Sequence, residues 1–362
     1  MLYLNIIFFL KFLQQSNIMN LNFLKELVFA HSTSGQEDEV MNLLQTCWQQ
    51  HNWQCSCLGR YALYAKSPHW HDHHPTILIT AHADSPGYVL QSIIDKDAIA
   101  VKLGSPRFMD GKKTAKVIVK TASQYIEEIL TCHNNSDSQT FTLSSHSDFI
   151  TGDRICFAPH YYLMENELIK APFLDNRVGC FVLAELSALL ANIKHYNIIL
   201  AVTGSEEFNG FGARVLAANI KADLAFCIDA TYVDPLQKVF LKKGPVLTLT
   251  DASVLIGRGM LDFWRAFCSN HNVPLQTEVY NYSGTDAKAF PNAGCTMPIL
   301  PFLIPSLDNH SPEETIAIDD LQNLLKIVEF FCQDPDAYNA LIKQGDCFAP
   351  TTHQKIQTKI TK

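Results

Sequence analysis

The pair His82 and Asp84 lies at the end of an apolar run, 76–81, that is typical of a buried strand. Residues i and i+2 of a strand face the same side, so both side chains would point to one surface. His82 could then bind a metal ion while Asp84 orients its imidazole, as carboxylates behind metal-binding histidines do. A satisfied polar pair at a strand end is the alternative for this pair alone.

Three further carboxylates follow apolar segments that are also typical of core elements. Asp175 precedes a helix-like apolar pattern, where a simple N-cap is the alternative. Glu206 and Glu207 come just after a buried strand, 198–203, and two adjacent carboxylates repel each other unless they share a cation or a proton. One of them could bind metal and the other could act as a general base, although acidic residues opening a helix are the alternative.

Asp229 and His310 complete the set. Asp229 ends the apolar strand 224–228, and His310 lies in the segment Asn309-His-Ser-Pro-Glu313. Together the sites supply two histidines and several carboxylates, a ligand set for a pair of divalent ions. Two-metal hydrolases hold such ions about 3.5–4 Å apart. Strand ends are also where α/β folds place their active sites.

The elements that would carry these residues alternate between strand and helix. Apolar residues at helical spacing predict a helix around Val40–Trp48 and another over Val178–Leu189. Further elements are predicted as follows: strands at Tyr61–Ala65, Thr76–His82, Asn197–Thr203 and Leu224–Asp229, and a helix near Phe211–Ala218. This alternation predicts βαβ units on a largely parallel sheet.

Residues 87–160 have a different texture, with short alternating apolar runs separated by turn residues. They predict a small all-β module inserted into the α/β domain. We therefore expect a discontinuous α/β catalytic domain at 20–86 and 161–340 and an inserted β domain at 87–160. Residues 1–19 and 341–362 are expected to be flexible tails.

Composition limits the classes of function. A chain of 362 residues with 47% hydrophobic and 18% charged residues is globular and long enough for two domains. The net charge of −8 argues against nucleic acid and anionic membrane surfaces as partners. The apolar stretch Met1–Leu13 is too short for a stable membrane span, and it does not have the charge pattern of a signal peptide. Eleven irregularly spaced cysteines without a CxxC indicate reduced thiols in the cytoplasm.

The order of these sites resembles that of the tetrahedral (TET) or deblocking aminopeptidases, the metallopeptidases related to glutamyl aminopeptidase, some of which were described as endoglucanases. The resemblance covers about residues 20 to 335 and is carried by these motifs in order: His82-x-Asp84, Asp175-Asn-Arg-x-Gly179, Glu206-Glu207-x-x-Gly210-x-Gly212-Ala213, Asp229, Ser283-Gly-Thr-Asp-Ala287 and His310-Ser-Pro. It implies a zinc-peptidase-like three-layer α/β/α domain with an inserted barrel-like β domain.

The resemblance also implies a role for each residue. His82 and Asp229 would bind one metal ion, Glu207 and His310 the other, and Asp175 would bridge both. Glu206 would be the general base, Asp84 would support His82, and a non-proline cis peptide is expected after Asp175. The two ions per subunit would be zinc, with cobalt as the other candidate.

The implied function is an aminopeptidase that hydrolyses N-terminal residues from peptides by metal-activated water. The implied assembly is a homo-oligomer, from a dimer formed through the β insert to a hollow dodecamer. A related two-metal amidase or deacylase of small N-acyl compounds is the alternative, and a non-enzymatic scaffold is a third. A polysaccharide hydrolase is disfavoured because the histidines would have no role. The histidine-rich segment His69–His74 is interpreted as a solvated loop.

Overall fold

The computed structural model describes residues 19–134, 139–159, 162–280 and 284–345. The strands form one large mixed sheet and one closed barrel. Three sheet strands precede the barrel: β1 (Gln54–Leu58), β2 (Ala62–Lys66) and β3 (Thr76–His82). The barrel strands are β4 (Gly87–Ile94), β5 (Asp97–Leu103), β6 (Thr114–Lys120), β7 (Tyr125–Asn134), β8 (Gln139–Ser144) and β9 (Arg154–Phe157). The remaining sheet strands are β10 (Leu163–Glu165), β11 (Leu168–Ala171), β12 (Asn197–Thr203), β13 (Leu224–Tyr232), β14 (Val246–Thr250), β15 (Gln276–Val279), β16 (Ile299–Leu307) and β17 (Glu314–Ala317).

Most of the helices flank the large sheet. The helices are α1 (Leu21–Phe29), α2 (Asp38–Gln50), α3 (Leu174–Leu189), α4 (Glu206–Asn209), α5 (Phe211–Asn219), α6 (Arg258–Asn270), α7 (Ala289–Asn292), α8 (Ile318–Gln333) and α9 (Ala337–Gly345), with a short 3₁₀ turn at Asp286–Lys288 before α7. Among the described residues, no helix combines the length and apolar character that a membrane crossing requires.

The centre of the large sheet is parallel and its flanks are antiparallel. Strands β12, β3, β13 and β16 lie side by side in parallel pairs. The flanking pairs β1–β2, β2–β12, β16–β17, β17–β11 and β11–β10 are antiparallel. The predicted parallel arrangement therefore describes the middle of the sheet. The carboxyl ends of the four central strands open on one edge.

The sheet has an apolar core on each face, which makes the domain a three-layer α/β/α structure. Ile77 and Ile79 of β3 pack in the larger cluster with helices α1, α2, α3, α6 and α8. Leu78, the residue between them, packs in the other cluster with α5 and α7. This alternation follows from the two-residue period of a strand and explains why β3 is buried along its whole length.

The barrel has a core of its own and closes in the order β4-β5-β8-β7-β6-β9. Tyr88 is fully buried there, and its ring contacts the rings of Phe108, Phe141 and Phe157. Phe173, which precedes α3 of the other domain, joins the same cluster. An inserted barrel-like β module was the sequence-based expectation for the fold, and the closed barrel confirms it.

The domain boundaries themselves stay predictions, since they assert that each part folds as a unit. The described barrel strands begin at Gly87 and end at Phe157. Helix α9 continues to Gly345, so the segment 341–362 that we expected as a tail begins inside a helix. Residues 1–18 and 346–362 lie outside the described part of the chain.

Candidate metal centre

The predicted site residues lie at the carboxyl edge of the central sheet. His82 is the last residue of β3, and Asp229 lies near the end of β13, its parallel neighbour. Glu206 and Glu207 open α4, just beyond β12. Asp175 lies in the first turn of α3, and His310 follows β16 by three residues. Parallel strands end on the same edge, which is why residues so far apart in sequence converge here.

Asp175 lies between two histidines and faces each with a different oxygen. Its Oδ1 is 3.4 Å from Nε2 of His82, and its Oδ2 is 3.4 Å from Nε2 of His310. Asp229 Oδ1 lies 3.1 Å from the same His82 nitrogen, and Glu207 Oε1 lies 3.1 Å from the His310 nitrogen. The centre therefore contains two clusters, His82–Asp175–Asp229 and Asp175–Glu207–His310, that share one carboxylate, and a third group, His82–Glu206–Glu207, lies between them.

Unpaired oxygen atoms indicate that these clusters fit cations. Oδ1 of Asp175 and Oε1 of Glu207 are buried and accept no hydrogen bond from the described residues. A buried carboxylate oxygen without a donor is costly unless a cation replaces its lost hydration. Imidazole nitrogens and carboxylate oxygens are the ligands that zinc and similar divalent ions take in proteins. The donor set therefore fits two such ions.

His82 is oriented for ligation through Nε2. Its Nδ1 lies 3.1 Å from the backbone carbonyl oxygen of Asp84, so Nδ1 carries the hydrogen and donates it there. This tautomer leaves the Nε2 lone pair free on the side of Asp175 and Asp229. The Asp84 carboxylate is farther away, with Oδ1 at 3.6 Å from Nδ1. The support that we expected from Asp84 comes in this structure mainly from its main chain.

The Asp84 carboxylate instead accepts hydrogen bonds from the first two backbone N–H groups of α4. Oδ1 accepts the N–H of Glu206 at 2.9 Å, and Oδ2 accepts the N–H of Glu207 at 3.2 Å. The hydroxyl of Ser34 also donates to Oδ2, at 2.6 Å. An acidic residue that accepts N-terminal amides of a helix satisfies groups that have no partner within the helix. Asp84 thus fixes both neighbouring glutamates.

Two residues that the sequence analysis did not identify also support the centre. Glu37 Oε1 accepts both the N–H and the hydroxyl of Ser205, the residue before α4. Glu314 accepts the N–H of Asp175 at 2.7 Å with one oxygen and the N–H of His310 at 2.8 Å with the other. No motif marks either glutamate, since the partners Ser205 and Asp175 are distant from them in sequence.

The start of α3 is anchored by buried polar side chains. The peptide bond between Asp175 and Asn176 is cis, as the family resemblance implied. Asn176 donates to the carbonyl of Ile228 at 2.8 Å, directly before Asp229. Arg177, which is almost fully buried, donates to the carbonyl of Ala83 at 2.6 Å. These bonds tie the helix to the ends of β3 and β13.

The electrostatics reflect an excess of negative charge. Burial, together with the nearby carboxylates of Glu207 and Asp229, raises the pKa of Glu206 well above its usual value. Burial likewise raises the pKa of Asp229 to about 7. Burial by itself lowers the pKa of His310, but the negative charges of Glu207 and Asp175 outweigh this effect, so that the pKa is raised overall. A divalent cation would relieve the repulsion among these carboxylates.

A cavity of about 350 Å³ opens beside Glu206 and is the candidate place for a substrate. Gly284, Thr285 and Asp286 line it, so part of the motif 283–287 borders the pocket; Ser283 lies outside the described residues. Asp286 accepts a hydrogen bond from the Thr203 hydroxyl. Arg214 and Lys288 line the same cavity.

The fold resembles that of solved aminopeptidase structures. A TET aminopeptidase from a marine sediment Thaumarchaeota archaeon superposes with a TM-score of 0.80 at 19% identity, over 89% of this chain and 99% of that one. The TET1 peptidase of Pyrococcus horikoshii gives a TM-score of 0.75 at 22% identity, over 86% of this chain and 98% of that one. At these identities the likeness establishes the fold, which is that of the TET aminopeptidases.

The family follows from the sequence comparison. Residues 144–327 match the model of the M42 glutamyl aminopeptidases, a span of half the chain, and the protein belongs to this family of peptide hydrolases. A putative aminopeptidase from Acetivibrio thermocellus is 28% identical over 187 residues, which are 50% of this chain and 56% of that protein. The chain spans about half the length of the curated relatives that it matches first. Membership in this metallopeptidase family implies a divalent metal ion.

Proposed function

We propose that the protein is a two-metal aminopeptidase that removes N-terminal residues from peptides. The observation that carries the proposal is the position of Asp175, whose two carboxylate oxygens each approach a different histidine at 3.4 Å. One carboxylate placed between two separate His–carboxylate pairs is the arrangement that a bridging ligand requires. Membership in the M42 family supports the same activity.

The metal ligands in this proposal are His82 and Asp229 for one ion, Glu207 and His310 for the other, and Asp175 for both. Zinc is the proposed ion, because the ligands are imidazoles and carboxylates, and cobalt prefers similar ligands. When bound, such ions lower the pKa of a shared water and polarise the scissile carbonyl group.

Glu206 is the proposed general base. Its backbone N–H is bound by Asp84, which fixes the start of its side chain at the edge of the cavity. The side chain is half-buried. Glu206 would accept a proton from the attacking water and then give it to the leaving amine. Its neighbour Glu207 lies 3.1 Å from Nε2 of His310, which supports a ligand role for Glu207 and leaves Glu206 as the proposed base.

The surrounding negative charge supports an unblocked N-terminus as the substrate group. The carboxylates of Glu206 and Asp286 line the cavity and are not proposed metal ligands. They would attract a protonated α-amine, whereas an N-acyl group offers no positive charge. Cleavage would then be confined to the first residue of a peptide. A two-metal deacylase of small N-acyl compounds is the competing function, and it predicts the opposite preference.

We extend the proposal to a homo-oligomer in the cytoplasm. The Pyrococcus horikoshii TET1 peptidase, which shares this fold, can assemble into a tetrahedron or a large octahedral shell. On the barrel, Ile94 is 55% exposed and Ile150 is 61% exposed, which supports contact with a second copy. Ten cysteines of the described residues are free thiols, as a reducing compartment favours. Light scattering on the purified protein tests the subunit count.

The activity is tested by metal analysis and a substrate panel on the same preparation. We expect about two metal ions per chain, release of p-nitroaniline from unblocked amino-acid anilides, loss of activity on chelation and recovery with zinc or cobalt. N-acetylated anilides serve as the matched blocked substrates. Preference for the blocked series would select the deacylase, and absence of metal under every loading condition would refute the ligand assignment.

The variant Glu206→Gln tests the general base. The amide has nearly the same shape as the carboxylate but cannot accept the proton, so we expect kcat to fall by about 100- to 10,000-fold. Metal content should stay at two ions, because Glu206 is not a proposed ligand. Asp175→Asn is the contrasting variant, with an expected loss of metal as well as activity. Full activity in Glu206→Gln would overturn the proposed role.

A further inference from the structure

Arg107 of the inserted barrel makes three hydrogen bonds to the loop that carries His310. Arg107 lies between β5 and β6, and its backbone N–H donates to the carbonyl oxygen of His310 at 3.0 Å. Its Nε donates to the carbonyl oxygen of Asn309 at 3.1 Å, and its Nη2 donates to Oδ1 of Asp308 at 2.8 Å. Three consecutive residues of the loop therefore contact Arg107.

This loop has a backbone conformation that needs external support. Asp308 has φ 60° and His310 has φ 65°, both in the left-handed region that residues other than glycine seldom adopt. Asn309, between them, donates to Oδ2 of Asp175 at 3.2 Å. The loop thus reaches the metal centre with two consecutive side chains, and its carbonyl groups on the other side are bound by Arg107.

The carbonyl contacts matter more than the ion pair. The side chains of Arg107 and Asp308 are 46% and 45% exposed, and an ion pair at such a position is screened by water. The Nε contact, in contrast, depends on the planar guanidinium, which can donate to Asn309 and Asp308 at the same time. The geometry of the side chain, rather than its charge, is therefore the feature that holds the loop.

The same barrel segment also contacts Glu207, which is proposed to bind the same ion as His310. Gly104 has φ 75°, and a Cβ atom at this position would lie 2.8 Å from the carbonyl oxygen of Glu207. The barrel backbone thus packs directly on the turn that carries Glu207. Oε1 of Glu207 lies 3.1 Å from Nε2 of His310. The corresponding ligands of the other cluster, His82 and Asp229, belong to strands of the central sheet.

We propose that Arg107 is a positioning residue for the metal ion held by Glu207 and His310. The inference rests on the proposed function, because it requires ions in the centre. Arg107 acts through the backbone of the loop and keeps Nε2 of His310 directed at Glu207 and Asp175. A ligand that is already held in place loses less conformational freedom when the ion binds, so the site has a higher affinity. The inserted barrel then supports the Glu207–His310 site directly, through the loop that carries His310.

The test is a titration of the metal-free protein with cobalt, followed by its visible absorbance. Arg107→Ala removes the side-chain contacts with Asn309 and Asp308 but keeps the backbone N–H that donates to His310. It should raise one of the two dissociation constants by about tenfold or more and leave the other unchanged. Glu207→Gln, which removes a ligand, identifies the constant that belongs to this site. Arg107→Lys should show the same weakening, since lysine has no planar fork. Asp308→Asn should keep the affinity, because it retains an acceptor for Arg107.

The matched control is Lys112→Ala, an exposed change in the same barrel segment, with no expected effect. One weakened constant, with an unchanged melting temperature of the metal-free variant, supports the inference. Two unchanged constants in Arg107→Ala would overturn it and leave the proposed function intact. Equal weakening of both sites with a lower melting temperature would also overturn it, in favour of a general stabilising role. A parent protein that binds no cobalt would overturn both the proposed function and the inference.

Discussion

Glu37 and Ser205 are separated by 168 residues, yet Oε1 of Glu37 accepts the N–H of Ser205 at 2.9 Å and its hydroxyl at 3.1 Å. The same oxygen accepts the N–H of Gly35 at 2.6 Å. Ser205 has φ 62°, and the chain turns there from the end of β12 into α4. Glu37 therefore fixes the turn that directs Glu206 and Glu207 into the metal centre.

This contact predicts a kinetic effect of Glu37→Ala. Without the carboxylate, the turn at Ser205 loses two hydrogen bonds and Glu206 is less well placed, so we expect kcat to fall by about 10- to 100-fold with little change in KM. Glu37→Gln keeps one oxygen acceptor and should retain more activity than the alanine variant. Steady-state kinetics on an anilide substrate measure both constants.

Asp38→Ala is the control for this prediction, since Asp38 is the exposed neighbour of Glu37. It should have the kinetics of the parent protein. Equal activity of Glu37→Ala and Asp38→Ala would show that the turn keeps its geometry without Glu37.

A second prediction concerns Glu314, which binds the backbone of two proposed ligands at once. Glutamine at this position offers one oxygen, and its NH₂ group would face the N–H of either Asp175 or His310. A donor against a donor leaves a buried amide unsatisfied. We expect Glu314→Gln to lower metal affinity by about 10- to 100-fold, measured as the metal retained after dialysis against a graded chelator.

Glu313→Gln is the natural comparison for Glu314→Gln. Glu313 pairs with Lys170 at 2.6 Å, and both side chains are partly exposed. Loss of such a surface pair costs at most about 1 kcal/mol and should leave metal affinity unchanged. If the two variants retain metal equally well, the proposed support by Glu314 is wrong.

The elements that position the site were predictable because their apolar patterns are strong. The predicted strands Thr76–His82 and Asn197–Thr203 have the same bounds as β3 and β12. Both are buried along their whole length, and a continuous apolar run between polar residues defines both ends. The convergence of His82 and Asp229 then follows from the rule that parallel strands end at one edge.

The supporting residues were not predictable from the sequence, for a physical reason. Glu37, Glu314 and Arg107 each make a hydrogen bond with a backbone group more than 130 residues away. Such contacts have no period and need no particular residue type at the other end. The antiparallel strands β10 and β11 were not predicted either, because strands this short carry too few residues to show alternation.

A third prediction concerns acid stability. Burial, with a further contribution from the charge of Lys120, lowers the pKa of His31 to about 3. In the unfolded chain the pKa of a histidine is about 6.5, so between these values the unfolded state binds more protons than the folded state. The stabilising contribution of neutral His31 is therefore complete above pH 6.5 and is lost as the pH falls through this window.

The variant His31→Phe should remove the part of the pH dependence of stability that comes from His31. Its free energy of unfolding should fall less steeply between pH 6.5 and about 4 than that of the parent, by up to about 1.4 kcal/mol per pH unit. Urea unfolding of the metal-free proteins at several pH values measures the difference. His146→Asn, a change at an exposed histidine of the barrel, should keep the slope of the parent. Parallel pH profiles for the parent and His31→Phe would contradict the prediction.

The last prediction compares two buried tyrosine hydroxyls with opposite surroundings. Tyr88 is fully buried in the barrel, and its hydroxyl makes no hydrogen bond with the described part of the chain. The hydroxyl of Tyr196 donates to the carbonyl of Asp334 at 2.8 Å and accepts the N–H of Tyr338 at 3.1 Å. Removing an unsatisfied buried group relieves its desolvation cost, whereas removing a satisfied one leaves its partners unpaired.

We therefore expect Tyr88→Phe to raise the free energy of unfolding by about 1 kcal/mol and Tyr196→Phe to lower it by a similar amount. The two substitutions remove the same atom, so differences in side-chain volume do not enter the comparison. Urea unfolding followed by circular dichroism measures both, and an unchanged slope with denaturant shows that the unfolding transition itself is the same. A loss of stability in Tyr88→Phe would mean that a bound water satisfies this hydroxyl inside the barrel.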